Sequence, residues 1–420
     1  MSESLLTSLS EALLQDRPIP PARLRIADAL AAFLVGLNTD DGNALARLHG
    51  AHRDALADVP ALCAITRLSE CDDIELASCV TPGSVVIPVA LAHGGNCTPH
   101  TIERAIAKGY ESGLALGRAI GGARALPKTW PTLLAAPIMA AVTIAFLKEF
   151  EQERLLHAIT IALAGWNGRA GRPVGSPSGR WIAFADAVHK GISAAHAAAG
   201  GFRGDPAIVD GDFGMRMEIL TCTDETGYKP FPIARQAATA VEAFQRLLAR
   251  GIDPATIESV TAVVPRMNVA LLSRPVDLHD RSSLLCNLGF QLACAAFAPE
   301  LLYDPERRRA TPALVGFAKR VTLTPTDEFD DPRRWPARVH VQTSGEGYVE
   351  TLDEIRLNSA PFDEDLLQQK WRRVLKPDDR REFFENVVPA GNGSHVMLWD
   401  WVRERLARAA RSGAASHENH

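Results

Sequence analysis

Three arginines, Arg169, Arg172 and Arg180, fall within the stretch Gly165 to Gly204, GWNGRAGRPVGSPSGRWIAFADAVHKGISAAHAAAGGFRG. Its first half is a run of Gly, Pro and Ser too broken for helix or strand, and its second half is Ala-rich with helical spacing. A guanidinium donates forked pairs of hydrogen bonds, so three of them on a backbone able to approach a ligand suit a carboxylate or a phosphate. A second cationic stretch runs from Gly227 to Phe244, GYKPFPIARQAATAVEAF. Pro230 and Pro232 fix φ on either side of Phe231 and stiffen the turn that carries Lys229, while Arg235 stands just before another apolar helix. Groups of the opposite sign lie earlier, where Glu70, Asp72, Asp73 and Glu75 place four carboxylates within six residues. Repulsion raises the pKa of any member drawn into a pocket and makes it a candidate general base or acid; the alternative is a solvated acidic turn. His189 is a further candidate to move a proton.

The other histidines, among them His93, His100, His157, His196 and His395, lack ligand spacing supported by neighbouring carboxylates, so no metal site is expected. The chain contains no Walker loop, GxGxxG, GxSxG or HExxH, and no cofactor is expected. Its seven cysteines form no CxxC pair, a pattern that fits free thiols in a reducing cytoplasm. The formal net charge of −5 argues against a nucleic-acid or anionic-membrane surface as the main partner, so functional positive charge must be local. The N-terminus lacks a basic segment followed by an apolar core, and no run reaches the length of a membrane span.

The elements that would position these groups divide in two. With 420 residues, 46% of them hydrophobic, the chain is ample for two cores. To about Gly251 the spacing is helical: Arg23 to Leu37, a segment opened by Thr98-Pro99 and closed by Gly121-Gly122, then Pro131 to Phe146, Gln152 to Ala164, Asp186 to Ala199 and Ala237 to Ala249. Ala-rich faces let such helices pack closely, within one bundle or between two copies. Beyond Gly251, Ile257 to Val264, Arg320 to Thr324 and Val339 to Gln342 read as strands, the last turning through a glycine-containing loop into Tyr348 to Leu352. Leu284 to Phe297 and Asp363 to Leu375 read as helices, and Ser394 to Ala410 as an amphipathic helix that returns to the first domain. The expected fold is mainly α: a large all-helical domain, residues 1–228 with 377–420, plus a smaller α+β domain, residues 229–376.

The order of several segments resembles the MmgE/PrpD family, which includes 2-methylcitrate dehydratase, cis-aconitate decarboxylase and iminodisuccinate epimerase. They are the acidic turn Glu70-Cys-Asp-Asp, TPGSVVIPVALA at Thr81 to Ala92, IERAIAKGYESGLALGRAIG at Ile102 to Gly121, WPT at Trp130 to Thr132, AAGGFRGDPAIVDGDFG at Ala198 to Gly214, and KPFP at Lys229 to Pro232. The resemblance implies a helical domain with an α+β lid, a homodimer, a small anionic substrate and a cofactor-free change at a carbon beside a carboxylate. It implies catalytic roles for Lys229, Glu70, Asp72, Asp73 and His189, and substrate contacts for Arg169, Arg172, Arg180, Arg235, Trp130 and Thr81. Thr81 and Trp130 stand where family members usually carry histidine, Arg180 and Ala183 where they carry lysine and histidine, and Leu292 where they carry Tyr or His. A dehydratase-like lyase is the first reading. An epimerase needs fewer acid groups, and a non-catalytic scaffold on the same fold is the third possibility.

Overall fold

The computed structural model describes residues 4–49, 58–126, 129–165, 178–210, 225–359, 363–390 and 395–415. Among them the chain forms seventeen α-helices and separates into two compact units. Of the described residues, the first unit takes those up to 165, then those of 178–226 and those from 375 onward; the second takes those of Gly227–Val374. No helix among the described residues is long and apolar enough to cross a membrane.

The first unit is helical, built around Pro131–Leu147, whose seventeen residues are all buried. A helix apolar on every side must be enclosed by others, and Gly83–His93, Pro99–Ala119, Gln152–Leu163 and Gly179–Ala199 pack against it. Close approach to Pro99–Ala119 depends on Gly109 and Gly113, which lie four residues apart and so share one face. A Cβ at Gly113 would lie 2.4 Å from the Met139 sulfur, and one at Gly109 would lie 2.3 Å from Thr143 Oγ1. Thr98 caps that helix by accepting from the Thr101 amide at 3.1 Å, with Pro99 at the first position, as the sequence suggests.

The chain's end closes the same unit. Helix His395–Ala415 packs on Asp40–His49. Asp379, in helix Pro377–Asn386, accepts from Asn38 Nδ2 at 2.8 Å and pairs with Arg405. Arg405 also reaches Glu382 at 2.7 Å.

The second unit is α+β. Its four-stranded sheet has the order Val321–Thr326, Ile257–Pro265, Ala337–Thr343, Gly347–Leu352. The first pair is parallel, with Val260 beside Val321, and requires a crossover, which the intervening helices supply. The other two pairs are antiparallel, and the last is the hairpin read from the sequence. Val260, Ala262 and Val264 alternate inward with Val339 and Val341, and helix Arg235–Ala249 packs against the sheet.

Three expected readings need correction. The helix expected from Asp186 begins at Gly179, because nothing after Pro177 breaks it, so Arg180 lies in a first helical turn and not in a loop. Arg235 is likewise the first residue of its helix rather than the residue before it. The segment read as one helix over Leu284 to Phe297 is two, Arg281–Cys286 and Leu288–Phe297, divided at Asn287, which caps the second by accepting from the Phe290 amide at 2.7 Å.

Candidate functional site

The acidic turn is folded inside the first unit, which excludes its reading as solvated: Asp72 is 1% exposed, Asp73 4% and Glu75 2%. Nor do the four carboxylates face one another as a repelling set. Glu70 and Asp72 pair with Arg67 at 3.1 and 3.5 Å, and Glu75 pairs with Arg118 at 2.8 Å while accepting from the amides of Ala77 and Ser78. Glu75 thus fastens its own turn to helix Pro99–Ala119.

Asp73 is different. Its Oδ2 accepts from the Tyr110 hydroxyl at 2.7 Å and its Oδ1 from the Gly83 amide at 2.9 Å, both neutral donors. Burial pushes its pKa up from 3.8 to about 7, the Tyr110 and Gly83 hydrogen bonds oppose the rise, and Asp72 adds to it. Desolvation, and not the clustering of charge suggested by the sequence, is therefore the main cause. Gly83 is required here, since a Cβ would lie 2.8 Å from both Asp73 Oδ1 and the Tyr110 oxygen.

An aromatic and cationic stack adjoins this turn through Arg67. The Arg67 guanidinium lies 5.5 Å from the centre of the Trp130 ring, and that of Arg180 lies 4.5 Å from Trp130 and 4.6 Å from Trp181. Trp130 also stacks on Phe184 at 5.4 Å, and Trp181 donates to Asp41 at 3.1 Å. A guanidinium is attracted to the faces of indole rings, so Trp130 and Trp181 help to place Arg180. Thr81 is buried among hydroxyls, its amide donating to Thr132 Oγ1 at 3.2 Å.

Glu70, Asp72, Asp73, Trp130 and Arg180 are thus linked through Arg67 and the turn. His189 is not brought to them: it is exposed, its Nε2 lies 3.4 Å from Ser193 Oγ, and nine residues place it about 180° around the helix from Arg180. Arg169 and Arg172 lie outside the described residues. His93 packs its ring on His196, and burial first, then the nearby charges of His196 and Lys148, lowers its pKa to about 4.

In the second unit the turn bearing Lys229 is fixed from both sides. Asn358 accepts from the Tyr228 amide at 2.8 Å and donates to the Tyr228 carbonyl at 3.1 Å, while Arg307 donates to the Pro232 carbonyl at 2.7 Å and to Gln291 at 3.1 Å. Lys229 is 1% exposed. Arg235 is buried, donates to Thr239 Oγ1 at 3.3 Å and is ion-paired with Glu354. Leu292 is wholly buried within helix Leu288–Phe297.

Four residues central to these arrangements were not singled out from the sequence: Arg67, Tyr110, Asn358 and Arg307. Tyr110 had a visible signal, a bulky polar ring between Gly109 and Gly113 in a helix otherwise lined with small residues. Asn358 and Arg307 act through partners distant in the chain, and Arg67 joins the nearby Glu70 and Asp72 to the distant Trp130. No curated protein matches the chain closely enough to count as a relative. Residues 11–225 match the MmgE/PrpD N-terminal domain and residues 231–385 the MmgE/PrpD C-terminal domain, and the chain belongs to the MmgE/PrpD family.

Proposed function

We propose that the chain is a cofactor-independent lyase of the dehydratase type, moving a proton at a carbon beside a carboxylate of a small organic anion. Asp73 carries this reading. A buried carboxyl with a pKa of about 7 is divided between acid and base near neutrality, where proton transfer is most effective. Asp73 takes the proton, and the Tyr110 hydroxyl on Oδ2 holds the carboxylate in orientation. Arg180, held against the Trp130 and Trp181 rings, binds the substrate carboxylate, and the indole faces favour a ligand with some apolar surface.

Asp73 also favours a second reading. Its hydrogen-bond donors, the Tyr110 hydroxyl and the Gly83 amide, are neutral, and removing a proton and returning it to the other face of a carbon, an epimerisation, needs fewer acid groups than expelling water. Proton NMR of the enzyme with small di- and tricarboxylates in deuterium oxide separates the two. Elimination yields an unsaturated product, whereas epimerisation yields deuterium incorporation without net loss. Either reaction should fall by about two orders of magnitude in Asp73→Asn. Undiminished turnover in that variant would remove the proposal's foundation.

A further inference from the structure

The second unit contains a cavity of about 290 Å³ between helices Arg235–Ala249 and Glu364–Val374. Its floor is apolar. Phe231 and Tyr303 meet edge to face at 5.7 Å, and Leu357 and Leu366 continue the surface. Its lining carries four cationic side chains, Arg246, Arg356, Lys370 and Arg373, against one carboxylate, Glu242.

The hydrogen bonds show which of these charges are committed. Glu242 accepts from Arg246 at 2.7 Å through one oxygen and from the Arg356 amide at 2.9 Å through the other. Arg246 also lies 3.9 Å from Glu350, which in turn pairs with Arg250. Arg246 and Glu242 therefore largely offset each other. Arg373 donates to the Tyr303 hydroxyl at 2.9 Å, with its guanidinium 5.7 Å from that ring's centre, so its partner is neutral and its position fixed. The Arg356 and Arg373 guanidiniums are exposed and meet no carboxylate among the described residues. Lys370, 4% exposed, also lines the cavity and lies 5.9 Å from the centre of the Tyr228 ring.

We propose that this groove is a binding site for an amphipathic organic anion. The ligand's apolar body rests on Phe231, Tyr303, Leu357 and Leu366, and its carboxylate or phosphate is held by Arg356 and Arg373. A guanidinium has five N–H donors, so Arg373, giving one to Tyr303, keeps others for a ligand oxygen. The volume is near the lower end for small-molecule sites, which limits the body to one ring or a short chain. The site uses none of the residues of the acidic turn or of the Trp130 stack.

Titration calorimetry on the full chain tests the assignment, with octanoate, phenyl phosphate and inorganic phosphate as probes. Octanoate, phenyl phosphate or both should bind, and the tighter of the two identifies the head group. Inorganic phosphate, lacking an apolar body, should bind at least about tenfold more weakly than the better organic probe. The double variant R356Q/R373Q should weaken the better probe at least about tenfold, as loss of charge-assisted hydrogen bonds does. The Asp73→Asn protein should bind it as the unaltered chain does, which separates this groove from the proposed reaction site. Unchanged affinity in the double variant, loss of binding in Asp73→Asn, equal binding of inorganic phosphate, or no binding by either organic probe would each overturn the proposal. Both arginines are exposed, so their replacement leaves the fold in place, and circular dichroism of the variant checks this.

Discussion

Asp73→Asn isolates the proton affinity on which the proposed chemistry depends. The folded carboxyl titrates at about 7 against an ordinary 3.8, so it binds its proton more tightly folded than unfolded. For a group shifted in this direction, the stabilising contribution is complete below the unfolded pKa and is lost as pH rises through the folded one. Between pH 5 and pH 8 the loss spans the two units below 7, about 3 kcal/mol at about 1.4 kcal/mol per unit. Asparagine does not titrate, and its side-chain oxygen still accepts from the Gly83 amide while its NH2 turns to the Tyr110 oxygen. The variant should therefore gain about 3 kcal/mol relative to the unaltered protein on going from pH 5 to pH 8, or roughly 6 to 12 °C in unfolding midpoint. His93 acts in the opposite sense, its contribution present above 6.5 and lost as pH falls through about 4. Both proteins carry it, so it cancels in the difference. Thermal unfolding of the pair at the two pH values and one ionic strength makes the measurement. A difference that does not change with pH would mean that Asp73 titrates as an ordinary carboxylate and that the proton-transfer reading is wrong.

Arg180→Lys keeps the charge but loses the planar guanidinium held against Trp130 and Trp181, so KM for the turned-over anion should rise about tenfold. The pH of half-maximal rate should stay where it is, because neither side chain titrates near neutrality; a shifted profile would make Arg180 part of the proton path. Gly191→Ala would place a Cβ 2.2 Å from the Pro137 carbonyl oxygen, and the helices can relieve this only by separating. A loss of about 1–3 kcal/mol in urea unfolding is expected, and an unchanged midpoint would show that the close approach is not needed.

Most of the fold can be read from the sequence because its signals are local. Spacing of apolar residues, the Thr98-Pro99 cap and the strand alternation from Ile257 each depend on a few adjacent residues. The errors arise where a local signal is silent: after Pro177 nothing marks Gly179 as a helix start, and nothing but the cap at Asn287 divides a uniformly apolar run. The candidate site is less legible. The acidic turn is conspicuous, but which carboxylate stays unpaired by a cation depends on Arg67 and Arg118 being placed beside the others, and Asp73's proton affinity depends on burial. Likewise Arg235 reads as a ligand-binding cation until Glu354, more than a hundred residues on, is seen beside it. Pairings across long stretches of chain leave no periodic trace.

The return of the chain's end to the first unit bears on the order in which the protein is made. Asp379, Glu382 and Arg405 fasten to one another and to Asn38, so the first unit lacks part of its core until residues 379–405 have been made. The described residues of the second unit lie within Gly227–Val374, a stretch that is made before them. Domains fold as units while the chain emerges, so the later-encoded unit should mature first. A chain halted at residue 374 should then show a protease-resistant second unit attached to a first unit that is still cleaved.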